Sequence, residues 1–164
     1  LLSGQRVSKA DPQIEAVGAL DELNASLGSA KAAGAAPATR DLLAAVQQNL
    51  VALMGEVACA EPDASRYAAS GFAKLEPADL TRIDRAIASL EARSLAFDGW
   101  ATPGANPVAA ALDVARTTAR RAERRLVALP AHGRHVRPLV IAYINRTADL
   151  LWLLAREAET PPEK

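Results

Sequence analysis

Five arginines and one glutamate are concentrated in the stretch ARTTARRAERRL, residues 115–126, whose remaining residues favour a helix. Successive residues of a helix are rotated by about 100° around its axis. Four of these charged residues therefore fall along one flank, which we call the arginine strip: Arg116, Arg120, Glu123 and Arg124. Arg121 and Arg125 fall on the opposite flank.

The arginine strip has the residue types that bind polyanions. The planar guanidinium group matches phosphate oxygens, and a carboxylate one turn away, such as Glu123 near Arg120, can fix its orientation. The alternative is a solvated helix face with intrahelical ion pairs, which is what most runs of charge are. The pattern alone leaves both interpretations open.

Polar side chains also lie beside apolar surface on two other predicted helices. Four residues follow one edge of YINRTADLLWLLAR: Asn145, Asp149, Trp152 and Arg156. Asp21 and Asn24 lie next to the apolar face of the first helix. Such groups must be hydrogen-bonded or solvated, and a buried asparagine can also serve only to set helix pairing. Polar groups on three helices favour a shared polar cleft.

Standard phosphate-loop and metal motifs are absent from the sequence. It contains no GxxxxGK[ST], no GxGxxG after a strand, no HExxH and no pair of ExxH segments. His132 and His135 lie in an Arg/Pro-containing turn and are expected at the surface. The single cysteine, Cys59, excludes an internal disulfide and a multi-cysteine zinc site. We therefore predict no metal site built from protein side chains.

The composition limits the class of protein. The 164 residues contain 19 Lys and Arg against 19 Asp and Glu, which disfavours a general nucleic-acid binder. The chain is 50% hydrophobic, so disorder is not expected. No apolar run reaches about 18 residues without a charge, so we predict no membrane span. One cysteine is compatible with a reducing compartment.

Five helical segments are predicted in an all-α single domain covering residues 1–164. The first begins at Asp11-Pro12 and keeps helical spacing to Lys31, and the approximate bounds of the others are 39–60, 77–93, 106–129 and 138–157, with loops at 61–74 and 97–107. Short connections favour a bundle with antiparallel neighbours. The fourth helix carries an apolar seam spaced by three and four residues: Val108, Leu112, Ala115, Ala119, Ala122, Leu126 and Leu129. The fifth is apolar nearly all round and is predicted to be central.

Three stretches together resemble a known family. DPQIEAVGALDELNASLG, ARTTARRAERRLVAL and YINRTADLLWLLAR are similar to segments of PduO-type ATP:cob(I)alamin adenosyltransferases, in the family's order and spacing. The resemblance covers essentially the whole chain. It makes a phosphate site the favoured interpretation of the arginine strip.

The resemblance implies a fold, a reaction and partners. The family is a five-helix bundle that forms a cytoplasmic homotrimer with active sites at subunit interfaces. It binds ATP with Mg²⁺ and reduced cobalamin, and the adenosyl group of ATP moves to cobalt while triphosphate leaves. A corrinoid reductase and an adenosylcobalamin-dependent enzyme are the further partners it suggests.

The resemblance also assigns the ATP side of the site. The positions that match family residues contacting ATP are Lys9, Arg120, Glu123, Arg124 and Asn145. Asp21 matches an aspartate that pairs with Arg120 across the subunit boundary. Arg120, Arg124 and Asp21 are thus the predicted catalytic residues. The family's ATP-wrapping N-terminal loop precedes the position of Leu1, so we expect the given chain to bind ATP less well without it.

The corrin side rests on two tryptophans. Trp100 matches the position of a family phenylalanine that displaces the lower axial ligand of cobalt, and its alternative role is a loop anchor packed on the bundle. Trp152 matches a family aromatic near the corrin, with core packing as its alternative. Two other functions stay open: a non-catalytic adenosylcobalamin carrier, and a helical interaction protein whose charges are only solvated.

Overall fold

The computed structural model describes residues 1–93, 95 and 100–160, and these residues form an all-helical domain without strands. Its helices are α1 (Pro12–Ala32), α2 (Pro37–Val57), α3 (Ala64–Ala68), α4 (Pro77–Glu91), α5 (Pro107–Ala128) and α6 (Pro138–Glu159). Short 3₁₀ turns cover Glu61–Asp63 and Leu129–His132. The all-α prediction is confirmed. Six α-helices are present among the described residues, where five were predicted, because the stretch 61–74 contains α3 rather than only a loop.

A proline occupies the first position of each long helix, namely α1, α2, α4, α5 and α6. Proline suits this position because its fixed φ is helical and its missing N–H would have no intrahelical acceptor there. Side chains cap the starts of α1 and α5. Asp11 Oδ1 accepts a hydrogen bond from the Gln13 N–H at 2.8 Å, and Asn106 Oδ1 accepts one from the Ala109 N–H at 2.9 Å. The predicted start of α1 at Asp11-Pro12 is confirmed.

The other predicted bounds differ by a few residues at helix ends. The second helix begins at Pro37 and ends at Val57, earlier at both ends than predicted. The described part of the 97–107 loop, residues 100–106, is irregular as predicted, and residues 97–99 lie outside the described residues. After α5, the 3₁₀ turn ends at Gly133, whose φ of 74° is a conformation that suits glycine.

Helix α5 packs against both α6 and α1, while α4 packs on α6 and α2 packs on α1. The predicted seam of α5 lies in the core: every member from Leu112 to Leu129 is buried, and Val108 is half-buried against the core. The alanines at 115, 119 and 122 have no exposed surface. The site-bearing helices α5 and α6 are therefore in direct, closely packed contact.

Helix α6 is a core helix, as its all-round apolar character predicted. Among the described residues, α6 has the length and composition to cross a membrane, and α2 joined to the bent segment Glu61–Ala68 would be a second such span. However, 56% of the apolar window of α6 is buried inside the protein, as in the central helix of a helical bundle.

A buried tyrosine of this core helix makes a polar contact with α2. The Tyr143 hydroxyl, on α6, accepts a hydrogen bond from Asn49 Nδ2 on α2 at 2.9 Å. Burial raises the pKa of Tyr143 to about 12, even though the Asn49 hydrogen bond acts in the opposite direction. The phenol is therefore neutral at physiological pH and can be held inside the core.

We expect Leu126→Ala to lower the free energy of unfolding by about 2–5 kcal/mol, because it leaves a cavity in the seam of α5. Leu126 has no exposed surface, whereas its neighbour Val127 is 57% exposed. The matched control Val127→Ala should change stability by less than about 0.5 kcal/mol. Urea unfolding followed by circular dichroism measures both. Equal effects of the two substitutions would contradict this packing of α5.

Candidate active site

The centre of the arginine strip is joined to α6 by one carboxylate. Glu123 Oε2 accepts a hydrogen bond from Arg120 Nη1 at 2.5 Å, and Glu123 Oε1 accepts one from Asn145 Nδ2 at 2.8 Å. The Glu123 side chain is only 14% exposed, whereas that of Arg120 is 47% exposed. Three residues predicted to bind ATP are thus adjacent, and Glu123 orients a guanidinium and an amide toward one surface.

The two ends of the arginine strip differ in their surroundings. Arg116 donates from Nε to Asp113 Oδ1 at 3.3 Å. Arg124 is exposed and has no hydrogen-bond or ion-pair partner among the described residues. An arginine with its donors free at a protein surface can bind an anion without first breaking an internal ion pair.

The opposite flank of α5 has a structural role. Arg125 Nη2 lies 3.1 Å from Glu15 Oε1, and Arg121 pairs with Glu22, so both arginines contact carboxylates of α1. The alternative of solvated ion pairs therefore describes this flank. On the arginine strip, the ion pair of Arg120 with Glu123 is not only a solvated pair, because Glu123 also contacts α6.

The polar residues of the N-terminal part do not join this cluster within one chain. Asp21 and Lys9 are exposed, and neither contacts Arg120, Glu123 or Asn145. The Asn24 carbonyl oxygen accepts a hydrogen bond from Gln47 Nε2 on α2 at 3.0 Å, so Asn24 lies at the α1–α2 contact. The predicted shared polar cleft thus contains residues of α5 and α6 but none of α1.

The two tryptophans lie in different environments. Trp100 is 91% exposed, so it does not pack on the described part of the bundle and the loop-anchor alternative is wrong. Trp152 is half-buried on α6, packs against the core and has the Arg156 guanidinium carbon 5.9 Å from its ring centre. Trp152 therefore has a core contact and an exposed part at the same time.

A buried ion pair next to Trp152 was missed by the sequence analysis. Arg156 Nη2 lies 2.6 Å from Asp113 Oδ2, and the two residues are 2% and 3% exposed. Arg156 was noted only as part of the edge of α6, and Asp113 was not singled out. The sequence did contain a signal for this pair, because Asp113 directly follows the buried seam residue Leu112. A carboxylate at such a position needs a buried partner.

Arg146 and Asp149 of α6 form ion pairs at the surface. Arg146 Nε lies 2.7 Å from Asp84 Oδ1 on α4, and Arg146 Nη1 lies 3.0 Å from Asp149 Oδ2. The hydrogen bond with Asp84 raises the pKa of Arg146. Asp149 therefore contributes to the α4–α6 contact rather than to the cluster around Glu123.

A cavity of about 400 Å³ lies away from the arginine strip, where the end of α2, α3 and the α5–α6 turn meet. Its polar lining includes Glu56, Cys59, Tyr67, Lys74, His135 and Arg137. None of the residues predicted to bind ATP or cobalamin lines it. Among the described residues, no group of three His, Cys, Asp or Glu side chains could hold a metal ion.

Comparison with known proteins identifies relatives over nearly the whole chain. A family model described as cobalamin adenosyltransferase matches residues 1–158. The corrinoid adenosyltransferase PduO of Salmonella typhimurium is 43% identical over 164 residues, which cover 98% of this chain and 46% of that protein. A corrinoid adenosyltransferase of Citrobacter freundii is 34% identical, covering 99% of this chain and 90% of that protein. The chain thus spans less than half of the Salmonella relative.

Solved structures agree with these sequence matches. A variant PduO-type ATP:corrinoid adenosyltransferase from Lactobacillus reuteri, complexed with cobalamin and ATP, superimposes with a TM-score of 0.84. The two sequences are 29% identical, and the match covers 97% of this chain and 86% of that one. The helical arrangement described above is therefore the arrangement of a protein that has been seen with both of these molecules bound.

The only cysteine provides a test of the geometry at the 400 Å³ cavity. Burial raises the pKa of the Cys59 thiol, and the charge of Asp63 raises it further. Because the thiolate is the reactive form, we expect slow alkylation by iodoacetamide at pH 7, with a rate that rises about tenfold per pH unit up to pH 9. Urea-unfolded protein should react with an ordinary pKa of about 8.5. A rate that levels off below pH 8.5 in the folded protein would contradict the burial of Cys59.

Proposed function

The chain belongs to the cobalamin adenosyltransferase family, and from this premise we propose that it transfers the 5′-deoxyadenosyl group of ATP to the cobalt of cob(I)alamin. The products are adenosylcobalamin and triphosphate. The observation that carries this proposal is the arrangement of Arg120, Glu123 and Asn145, with Arg124 exposed beside them. The sequence resemblance assigns these four positions to family residues that contact ATP, and the hydrogen bonds of Glu123 to Arg120 and Asn145 support that assignment.

The proposed reaction is a nucleophilic displacement at carbon. The electron pair of Co(I) forms the cobalt–carbon bond at C5′ of ATP, and the C5′–O bond breaks with its electron pair remaining on triphosphate. No proton has to be moved for this step, so the site needs no general base. Negative charge grows on the leaving oxygen, and positive groups fixed near that oxygen lower the barrier.

Each residue of the cluster has a distinct proposed role. Arg124, with its donors free, binds the triphosphate and stabilises it as it leaves. Arg120 does the same while Glu123 keeps its guanidinium in a fixed orientation, which reduces the reorganisation needed during the reaction. Asn145, held by the other oxygen of Glu123, positions the nucleotide. Lys9 completes the ATP contacts from the segment before α1.

Cobalamin would be bound at the end of α5 and α6 that lies away from the Glu123 cluster. Trp152 on α6 and Trp100, before α5, are the proposed contacts of cobalamin. The exposed indole of Trp100 is available for stacking or for displacing a ligand of cobalt. The proposed positions follow from the chain order, because α5 runs from the Trp100 loop toward the arginine strip.

Mg²⁺ is proposed as the counter-ion of the nucleotide. The described residues do not themselves supply a set of metal ligands. Magnesium commonly keeps several waters and is bound through substrate phosphates with one or two carboxylates. We therefore assign no step of the reaction to a protein-held metal.

The assembly is also part of the proposal. The five long helices would form the antiparallel bundle of the family, and three chains would form a cytoplasmic homotrimer. Asp21 and Arg120, which do not meet within one chain, would pair across the subunit boundary. The further partners are a corrinoid reductase that supplies Co(I) and an adenosylcobalamin-dependent enzyme that receives the product. No nucleic acid and no membrane take part.

The arginine strip provides the direct test of the proposed function. We expect Arg124→Ala to lower kcat for adenosyl transfer by about 10²–10³, because a transition-state contact to triphosphate is lost. The matched control is Arg125→Ala, which removes an adjacent arginine that pairs with Glu15 instead. Transfer is followed by the absorbance of adenosylcobalamin formed under anaerobic conditions from chemically reduced cob(I)alamin and Mg-ATP.

The outcomes separate the three functions considered. A loss in Arg124→Ala but not in Arg125→Ala supports the transferase and the assignment of the flank. Tight cobalamin binding without turnover in the unsubstituted protein would replace the transferase by a carrier. Neither binding nor turnover would leave only a helical interaction protein.

Another prediction concerns the subunit boundary. Asp21→Ala and Arg120→Ala should each abolish most activity, and co-expression of the two variants should restore part of it. In a mixed trimer of either composition, one boundary of the three joins an intact Asp21 to an intact Arg120, so one third of the sites in each mixed trimer recover, or about a quarter of all sites when the variants assemble at random. The control is mixing of two separately folded homotrimers that do not exchange subunits. No recovery on co-expression would contradict an intersubunit pair.

A further inference from the structure

The Asp113–Arg156 ion pair is the most deeply buried charged contact among the described residues. The Arg156 and Asp113 side chains are 1% and 4% exposed, and their closest atoms, Nη2 and Oδ2, are 2.6 Å apart. The pair joins α5 to α6. The Arg156 Nη2 also donates to Glu159 Oε1 at 2.9 Å, whereas its buried Nε has no hydrogen-bond partner.

Such a pair is not explained by stability alone. Taking two charges out of water is costly, and well-packed hydrophobic residues at the same positions often give equal or greater stability. The pair does give a fixed geometry, since loss of either partner would leave a buried charge with only one partly exposed partner, Arg116 for Asp113 or Glu159 for Arg156. A buried ion pair that connects two site-bearing helices is therefore a candidate for positioning the site.

The ion pair contacts one residue of the arginine strip on α5 and one proposed cobalamin contact on α6. On α5, the second oxygen of Asp113 accepts from Arg116 Nε at 3.3 Å, and Arg116 begins the arginine strip. On α6, the Arg156 guanidinium carbon lies 5.9 Å from the centre of the Trp152 ring. A guanidinium at this distance from an indole face is attracted to it, more strongly when both are shielded from water.

We propose that Arg156, held by Asp113, is a positioning residue for cobalamin: it fixes the indole of Trp152 relative to the arginine strip. This inference rests on the proposed function, and it adds a residue pair that touches neither ATP nor the reacting atoms. Because the contact of Arg156 is to Trp152 rather than to the Glu123 cluster, its effect falls on cobalamin and not on ATP.

The test uses Arg156→Lys, which keeps the positive charge for Asp113 but removes the planar group that faces Trp152. We expect KM for cob(I)alamin to rise about five- to tenfold while KM for ATP is unchanged. In a Trp100→Phe background, Trp152 is the only tryptophan, and its emission should shift in Arg156→Lys. The matched control is Arg93→Lys, the same substitution in the surface pair of Arg93 with Glu157 on α6.

A second variant covers the case in which Arg156→Lys does not fold. Asp113→Asn combined with Arg156→Gln removes both charges together, so that neither is left buried without a partner. It also removes the guanidinium from Trp152, and the same selective rise in KM for cob(I)alamin is expected. Urea unfolding of each variant shows whether a kinetic change merely follows lost stability.

The possible results discriminate between this proposal and a purely structural pair. Lower stability with both KM values and the Trp152 emission unchanged would overturn it, as would equal changes in the two KM values. If the unsubstituted protein shows no transfer, the proposed function fails separately. In that case, quenching of Trp152 emission by hydroxocobalamin measures corrin binding directly. Weaker binding to Arg156→Lys than to the unsubstituted protein supports the proposal that Arg156 positions Trp152 for a corrin. Equal binding, or no quenching, rejects that proposal.

Discussion

The close contact of α5 with α6 and α1 is the constraint on which the rest of the structure depends. Alanines at 115, 119 and 122 have no exposed surface and contribute only a methyl group each to this contact. The distance between packed helices depends on the size of the side chains between them. With small residues there, Glu123 reaches Asn145 and Asp113 reaches Arg156 by direct hydrogen bonds. Larger residues in the seam would separate these pairs before they changed the fold.

Four of the five arginines of α5 pair with carboxylates on α1 or on α5 itself, in a chain whose net charge is zero. Arg121 and Arg125 pair with α1, and Arg116 shares Asp113 with α6. Arg120 is held by Glu123, and only Arg124 has no such partner in the described chain. The helix thus combines structural ion pairs on one flank with a site on the other, so its total charge alone could not distinguish the two.

Local patterns in the sequence predicted the parts of the structure that depend on helix geometry. The seam of α5, the Asp11 cap and the neighbourhood of Arg120 and Glu123 follow from spacing along one helix, which is fixed at about 3.6 residues per turn. The Asp113–Arg156 pair depends on the register between two helices, and spacing within either one does not determine that register. The position of Asn24 at the α1–α2 contact depends on packing between helices in the same way, and spacing along α1 does not determine it. The short helix α3 lies in a stretch with too few apolar residues to give a periodic signal.

Exposure of the remaining site residues is consistent with a site that is completed by a second subunit. Asp21, Lys9 and Arg124 carry full charges at the surface of the single chain, where water stabilises them at little cost. On assembly around a nucleotide, the same charges would lie in a region with less water, and their interactions with phosphate and with each other would be stronger. These charges are solvated in the isolated chain and would be shielded from water in the assembly. The site would therefore interact strongly with phosphate only when it is complete. This property suits a reaction whose Co(I) nucleophile must be protected from solvent until ATP is in place.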